Sequence, residues 1–264
     1  MIIKFGRVSN SYYFCAFHFS LLMLMKRRIN PIFLVYQYLI VVPVWAVITV
    51  WAAVFTLILS PVAPNSRLSY FPGRFWAWSV CALCFVRVKI HGMEKLDPKK
   101  SYIFMMNHSS WFDIFVVYGW LPFFFKWIMK SSLRKAPFIG AACAAAGHIF
   151  INRENPKAAQ ESLEKAKQEL QKGISVVIFP EGTRTKTGKL GKFKRGGFKI
   201  AADLELPIVP VTLRGCFERL PKNAYAVSPG IIEMHVHEPL DMSGYTQEYI
   251  PELMEKTREI IEFR

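Results

Sequence analysis

The sequence predicts an α/β domain, a mixed sheet covered by helices, preceded by an N-terminal two-helix membrane-associated hairpin. Three observations lead there. Residues 32–60 carry no formal charge over 29 positions, and as a helix this run would be about 43 Å long, more than the roughly 30 Å hydrocarbon core of a bilayer. From residue 86 onward, short β-branched runs alternate with helical stretches, the pattern of a sheet covered by helices. The composition, 52% hydrophobic and 15% aromatic with a net charge of +15, describes a chain both apolar and basic, suited to an anionic membrane surface. Nucleic acid would explain the charge and leave the apolar excess unexplained, so it is not expected as a partner. A length of 264 residues fits one core with an accessory segment, and collagenous, disulfide-rich and disordered classes are excluded.

In chain order, residues 1–24 form an extension of unassigned role, and Met25, directly before Lys26, Arg27 and Arg28, is a candidate start of translation. Residues 25–86 read as the hairpin. Its first arm is the uncharged run, bent at Pro43. Its second, 70–86, is interrupted by Pro72, Gly73 and Arg74 and suits an interfacial or re-entrant helix better than a full span. Basic residues on both flanks, 26–28 before and Arg87, Lys89, Lys95, Lys99 and Lys100 after, place both ends on the cytoplasmic side.

Residues 87–264 read as the α/β part. Strands are expected at 86–90, 102–106, 149–151, 175–179, 208–213 and 231–236, and a helix at 156–172 with Pro156 in its first turn. Lys126, Lys130 and Arg134 recur every four residues beside Phe123, Phe124, Phe125 and Trp127, which predicts an amphipathic helix lying among headgroups. The five Cys are scattered, and Cys81 and Cys84 sit in an apolar run with no second Cys or His pair nearby. They read as reduced thiols, and no metal and no cofactor is expected.

In open α/β sheets, chemistry collects beyond the carboxyl ends of strands. Here those ends carry Asn107-His108-Ser109-Ser110-Trp111-Phe112-Asp113, then Asn152-Arg153, then Pro180-Glu181-Gly182-Thr183-Arg184-Thr185. With His108 in a loop and Asp113 in the first helical turn, the carboxylate can reach the imidazole and leave Nε2 as a base. A structural His–Asp pair would show the same spacing. Ser109 or Ser110 would cap the helix. Arg184, just past the third strand end, offers a planar guanidinium for bidentate phosphate binding, and Gly182 lets backbone amides approach the same anion.

These blocks resemble those of the glycerolipid acyltransferases, the family of 1-acyl-sn-glycerol-3-phosphate acyltransferase. Residues 107–113 are similar to its N-H-x-x-x-x-D block, 147–153 to its second, 179–185 to its F-P-E-G-T-R-S block with Thr185 in place of Ser, and 208–211 to its fourth, in the family's order. Lys130, Leu133, Pro137 and Gly140 fit its K-x-x-L-x-x-x-P-x-x-G linker. The resemblance implies transfer of a fatty acyl group from acyl-CoA or acyl carrier protein to the sn-2 hydroxyl of lysophosphatidic acid, yielding phosphatidic acid. Other acceptors within the family are glycerol-3-phosphate, another lysophospholipid or a lyso-aminolipid. By resemblance, His108 and Asp113 are catalytic, and Arg153, Glu181, Gly182, Thr183 and Arg184 bind substrate. Arg153 and Arg184 would hold the phosphate, and Glu181 would order the turn or bind the glycerol portion. The basic flanks and the basic, apolar composition place the site at the cytoplasmic face of the inner cell membrane, in contact with anionic lipids.

Overall fold

The computed structural model describes residues 30–152, 174–242 and 247–262. Helix α1, Pro31–Val62, begins at Asn30, whose side chain accepts the Ile32 N–H at 2.9 Å. Proline at the first helical position loses no bond, since that amide is unpaired in any helix. A π-helical turn at Gln37–Val41 precedes Pro43, whose missing N–H and bulky ring would disrupt an unbroken α ladder. Among the described residues, α1 is the one helix long and apolar enough to cross a membrane. Much of its surface is exposed and apolar, with Val47 at 70% and Ile58 at 56%.

The expected second membrane arm is overturned. Helix α2, Arg67–Leu83, opens with a capping box between Ser66 and Ser69 and forms a layer of the α/β domain. Its Ala77, Val80 and Cys81 are buried in the main core cluster with Val116, Val117 and Leu121. Arg74 Nη2 donates to the Leu121 carbonyl at 2.8 Å, and Trp78 Nε1 to the Gly119 carbonyl at 2.7 Å. Composition cannot tell a helix that buries apolar side chains against protein from one that buries them in lipid. The N-terminal apolar element is therefore the single helix α1. It packs on α2 through Trp51 against Phe75 and through the bond from Trp76 Nε1 to Thr49 Oγ1 at 2.9 Å.

The strands are β1 (Val86–His91), β2 (Ile103–Met106), β3 (Phe125–Lys130), β4 (Ile149–Ile151), β5 (Ser175–Ile178), β6 (Ile208–Arg214) and β7 (Gly230–Val236). Among the described residues they form a seven-stranded mixed sheet in the order β1-β7-β6-β2-β5-β3-β4, with only β6 and β7 antiparallel. Strands β2, β5 and β6 are buried along almost their whole length, as their continuous β-branched and Met/Phe runs require. Covering helices include α3 (Phe112–Trp120), α4 (Ile139–Ala145), α5 (Arg195–Leu204), the short α6 (Cys216–Arg219) and α7 (Ile250–Glu262). The helix expected at 156–172 and the basic cluster at 26–28 lie outside the described residues.

The amphipathic helix expected around residues 123–134 is instead strand β3 followed by a 3₁₀ turn, Ser131–Lys135. Lys126 is only 6% exposed and donates to the Ala146 carbonyl at 2.5 Å. The aromatic run prefers a pleated, half-buried surface, and this outweighs the four-residue spacing of the cations. Lys126 belongs to a buried polar knot. His148 Nδ1 accepts from the Trp127 N–H at 3.3 Å, and its Nε2 bonds to the Tyr118 hydroxyl. Burial first, and the Lys126 charge second, push the His148 pKa from 6.5 down to about 3.

Candidate active site

Strands β6, β2 and β5 are neighbours and run the same way, so the loops beyond their carboxyl ends converge. Asn107 leaves β2 and extends its pairing with β6. Its Nδ2 donates to the Leu213 carbonyl at 2.9 Å and its Oδ1 accepts the Leu213 N–H at 2.7 Å. This carboxamide fixes the chain just past β2, so that His108 stands beyond the carboxyl end of that central strand. The imidazole lies flat on Phe179, with ring centroids 3.8 Å apart and an interplanar angle of 10°.

Asp113 sits in the first turn of α3 and is fully buried. Its Oδ2 meets His108 Nδ1 at 2.7 Å and accepts the backbone N–H groups of Ser109 at 2.6 Å and Ser110 at 2.8 Å. The carboxylate is thus set by the loop itself, as the five-residue spacing anticipates. The capping detail differs from expectation: Trp111 occupies the N-cap position without a side-chain bond, while Ser110 Oγ accepts the Phe112 N–H at 3.1 Å. With Nδ1 committed to Asp113, Nε2 is the ring nitrogen left to exchange a proton with a ligand. The nearby Cys216 thiol is fully buried, and desolvation, followed by the Asp113 charge, raises its pKa well above the usual range. It therefore stays a thiol and is no candidate nucleophile.

The turn after β5 closes against His108. Glu181 Oε1 accepts the His108 N–H at 2.6 Å, and Oε2 accepts the Gly191 N–H at 2.7 Å. Both oxygens therefore hold backbone. Burial raises the Glu181 pKa, opposed by these two amide bonds. Gly182 adopts φ +71, a left-handed conformation that favours glycine, and a Cβ there would lie 3.1 Å from the flexible end of Lys194 at Cε. Thr183 is exposed, with its hydroxyl bonded to Lys222 Nζ at 3.0 Å. The Arg184 guanidinium lies over the Trp111 ring, 4.4 Å from its centroid. Burial lowers the Arg184 pKa, and the Asp113 charge opposes that shift. A cavity of about 180 Å³ is lined by His108, Glu181, Thr185, Lys189, Thr212 and Arg214 among others.

Of the residues singled out by sequence, the structure brings His108, Asp113, Glu181, Gly182, Thr183 and Arg184 together. Arg153 lies outside the described residues. Asn107, Trp111, Phe179 and Lys222 were missed as individual contributors. Asn107, Trp111 and Phe179 lie within the quoted blocks, but Lys222 follows them with no local signal. The sequence reading also found no ligand cluster. His91, Glu233 and His235 nonetheless place their ligand atoms within 4.8 Å of one another, on the paired strands β1 and β7. Lys89 flanks this group on the same strand face, and Arg214 pairs with Glu233 across the sheet.

A family model described as Acyltransferase matches residues 87–214. The 1-acyl-sn-glycerol-3-phosphate acyltransferase of Pseudomonas aeruginosa is 30% identical over 212 residues, 78% of this chain and 81% of that protein. The chain belongs to the 1-acyl-sn-glycerol-3-phosphate acyltransferase family.

A chloroplastic family member from Arabidopsis thaliana is 32% identical over 188 residues, covering 70% of this chain and 52% of that protein. The chain thus spans about half the length of several plant acyltransferases that it matches. The crystal structure of the 1-acyl-sn-glycerophosphate (LPA) acyltransferase from Thermotoga maritima superposes with a TM-score of 0.69 at 25% identity, covering 87% of this chain and 95% of that one. The family match spans the convergent strand ends from β2 to β6, where the acyltransferase blocks lie.

Proposed function

We propose that the protein transfers a fatty acyl group from an acyl thioester, on CoA or acyl carrier protein, to the sn-2 hydroxyl of 1-acyl-glycerol-3-phosphate, forming phosphatidic acid. The observation that carries this reading is the His108–Asp113 contact of 2.7 Å to a fully buried carboxylate. His108 Nε2 takes the hydroxyl proton as the oxygen attacks the thioester carbonyl, and Asp113 stabilises the imidazolium that forms. Collapse of the tetrahedral adduct breaks the C–S bond, and the leaving thiolate recovers the proton from His108. No acyl-enzyme is required. Arg184 and Arg153 hold the acceptor phosphate, which the Arg184 position beside the dyad supports. Glu181, Gly182 and Thr183 shape the turn that presents Arg184.

The relatives' names support the acceptor, and α1 with the basic surface supports work at an anionic membrane. We place the site at the cytoplasmic face of the inner membrane, where acyl-CoA and acyl carrier protein are found. The test is thiol release by the purified protein with lysophosphatidic acid and each donor, with the lipid product identified by mass. Phosphatidic acid formation is expected. Thiol release without an acylated lipid would indicate a hydrolase and refute the reading, and transfer only to glycerol-3-phosphate would reassign the acceptor.

A further inference from the structure

The segment after α6 touches both halves of the site. The Leu220 carbonyl accepts from Ser110 Oγ at 2.7 Å, and Pro221 forms a backbone bridge with Ser110. The next residue, Lys222, donates its ammonium to Thr183 Oγ1 at 3.0 Å and to the Arg184 carbonyl at 3.2 Å. Residues 220–222 therefore fasten the His108 loop on one side and the Arg184 turn on the other. Arg184 is held twice: its backbone by Lys222, and its guanidinium by Trp111 at 4.4 Å, next in sequence to the fastened Ser110.

The bond to the Thr183 hydroxyl is exposed and the one to the Arg184 carbonyl only partly buried; such bonds give modest net stability, and a long side chain loses rotamer freedom in making them. A lysine here does something a neutral residue would not. It brings a second full positive charge to the turn that carries Arg184. A third cation, Lys194, also borders the turn, with its Nζ 3.2 Å from where a Gly182 Cβ would stand. Glu181, the acid in the turn, has both oxygens on backbone amides. Lys222 and Lys194 thus add positive charge to the turn that carries Arg184, beyond what the buried Asp113 and Glu181 offset, and a phosphate monoester with up to two negative charges complements it.

We propose that Lys222 is the positioning residue that sets Arg184 and thereby makes the site selective for acceptors bearing a phosphate monoester. The proposal rests on Arg184 as the phosphate-binding group. In thiol-release assays, Lys222→Met is expected to lower the preference for lysophosphatidic acid over monoacylglycerol, as the ratio of kcat/KM values, by about tenfold, the scale of one lost hydrogen bond to a charged group. The acceptor KM should move more than the donor KM, and Lys222→Arg should restore most of the ratio. A parallel loss with both acceptors, or an unchanged ratio, would overturn the proposal.

A second measurement does not depend on turnover. Inorganic phosphate should slow amide hydrogen exchange at residues 182–185 in the wild-type protein, and do so less in Lys222→Met. Equal protection in both proteins, or none in the wild type, would again overturn it. Absence of acyl transfer by the wild type, with phosphate protection lost in the variant, would refute the proposed reaction and leave this inference standing.

Discussion

Replacing Asp113 by Asn separates charge from shape at the centre of the site. Alanine would be a poor probe, because it would leave the buried Ser109 and Ser110 N–H groups, now at 2.6 and 2.8 Å from Oδ2, without an acceptor. Each orphaned amide costs about 1–3 kcal/mol, enough to disturb the loop. Asparagine keeps one oxygen for these amides and for His108 Nδ1, and removes the negative charge that meets the imidazolium during the reaction. Unit charges about 4 Å apart attract by about 4 kcal/mol at an effective dielectric of about 20. The carboxylate is fully buried and the His108 side chain 15% exposed, so solvent screening is modest. At 1.36 kcal/mol per tenfold, kcat is expected to fall by about 10²–10³, with the melting temperature within a few degrees of wild type. His108→Ala, which removes the base itself, should lose about 10²–10⁴. The assay is thiol release under saturating donor and acceptor. An Asp113→Asn enzyme as fast as wild type would show that the carboxylate only shapes the loop, and the dyad mechanism would be wrong.

Arg184→Ala should raise the KM for lysophosphatidic acid well above any change in the thioester KM, and Arg184→Lys should not restore it, because an ammonium lacks both the bidentate fork and the stacking on Trp111; equal losses for donor and acceptor would point to a role in folding. His148 makes stability depend on acid. Its folded pKa of about 3 lies below the ordinary 6.5, so the unfolded chain binds a proton that the folded protein excludes, and stability is lost as pH falls below about 6.5. Melting temperatures measured from pH 8 to 4 should show this slope, flattened in His148→Gln; parallel curves for the two proteins would contradict it.

What could be read in the sequence was local. The run from Asn107 to Asp113 places a strand end, a loop and a first helical turn within seven residues, so chain connectivity brings Asp113 within reach of His108, while Phe179 and Glu181 from another segment fix the ring and its backbone. Gly182 and Arg184 were legible for the same reason. The Glu181 link to Gly191, the Asn107 link to Leu213 and the Lys222 link to Arg184 join segments whose proximity is created by the sheet order, and no spacing rule reports them. Errors arose where one pattern fits two environments. The cations Lys126 and Lys130 keep a helical interval inside a strand, and α2 is apolar because it covers other helices and the sheet. In α2 the small buried residues Ala77 and Cys81 together with Arg74 were the available sign of a protein-facing helix.

The π turn of α1 carries Gln37, which is 4% exposed and grips the loop between β6 and β7 from both ends of its carboxamide: Nε2 donates to the Tyr225 carbonyl at 2.6 Å, and Oε1 accepts the Val227 N–H at 2.8 Å. This joint ties α1 to the loop that leads into β7, so the apolar helix and the sheet move as one body. Under the proposed reaction, with α1 seated in a bilayer, an acceptor dissolved in the same lipid would reach the site by lateral diffusion, and the rate would follow its mole fraction in the lipid more closely than its molarity in water.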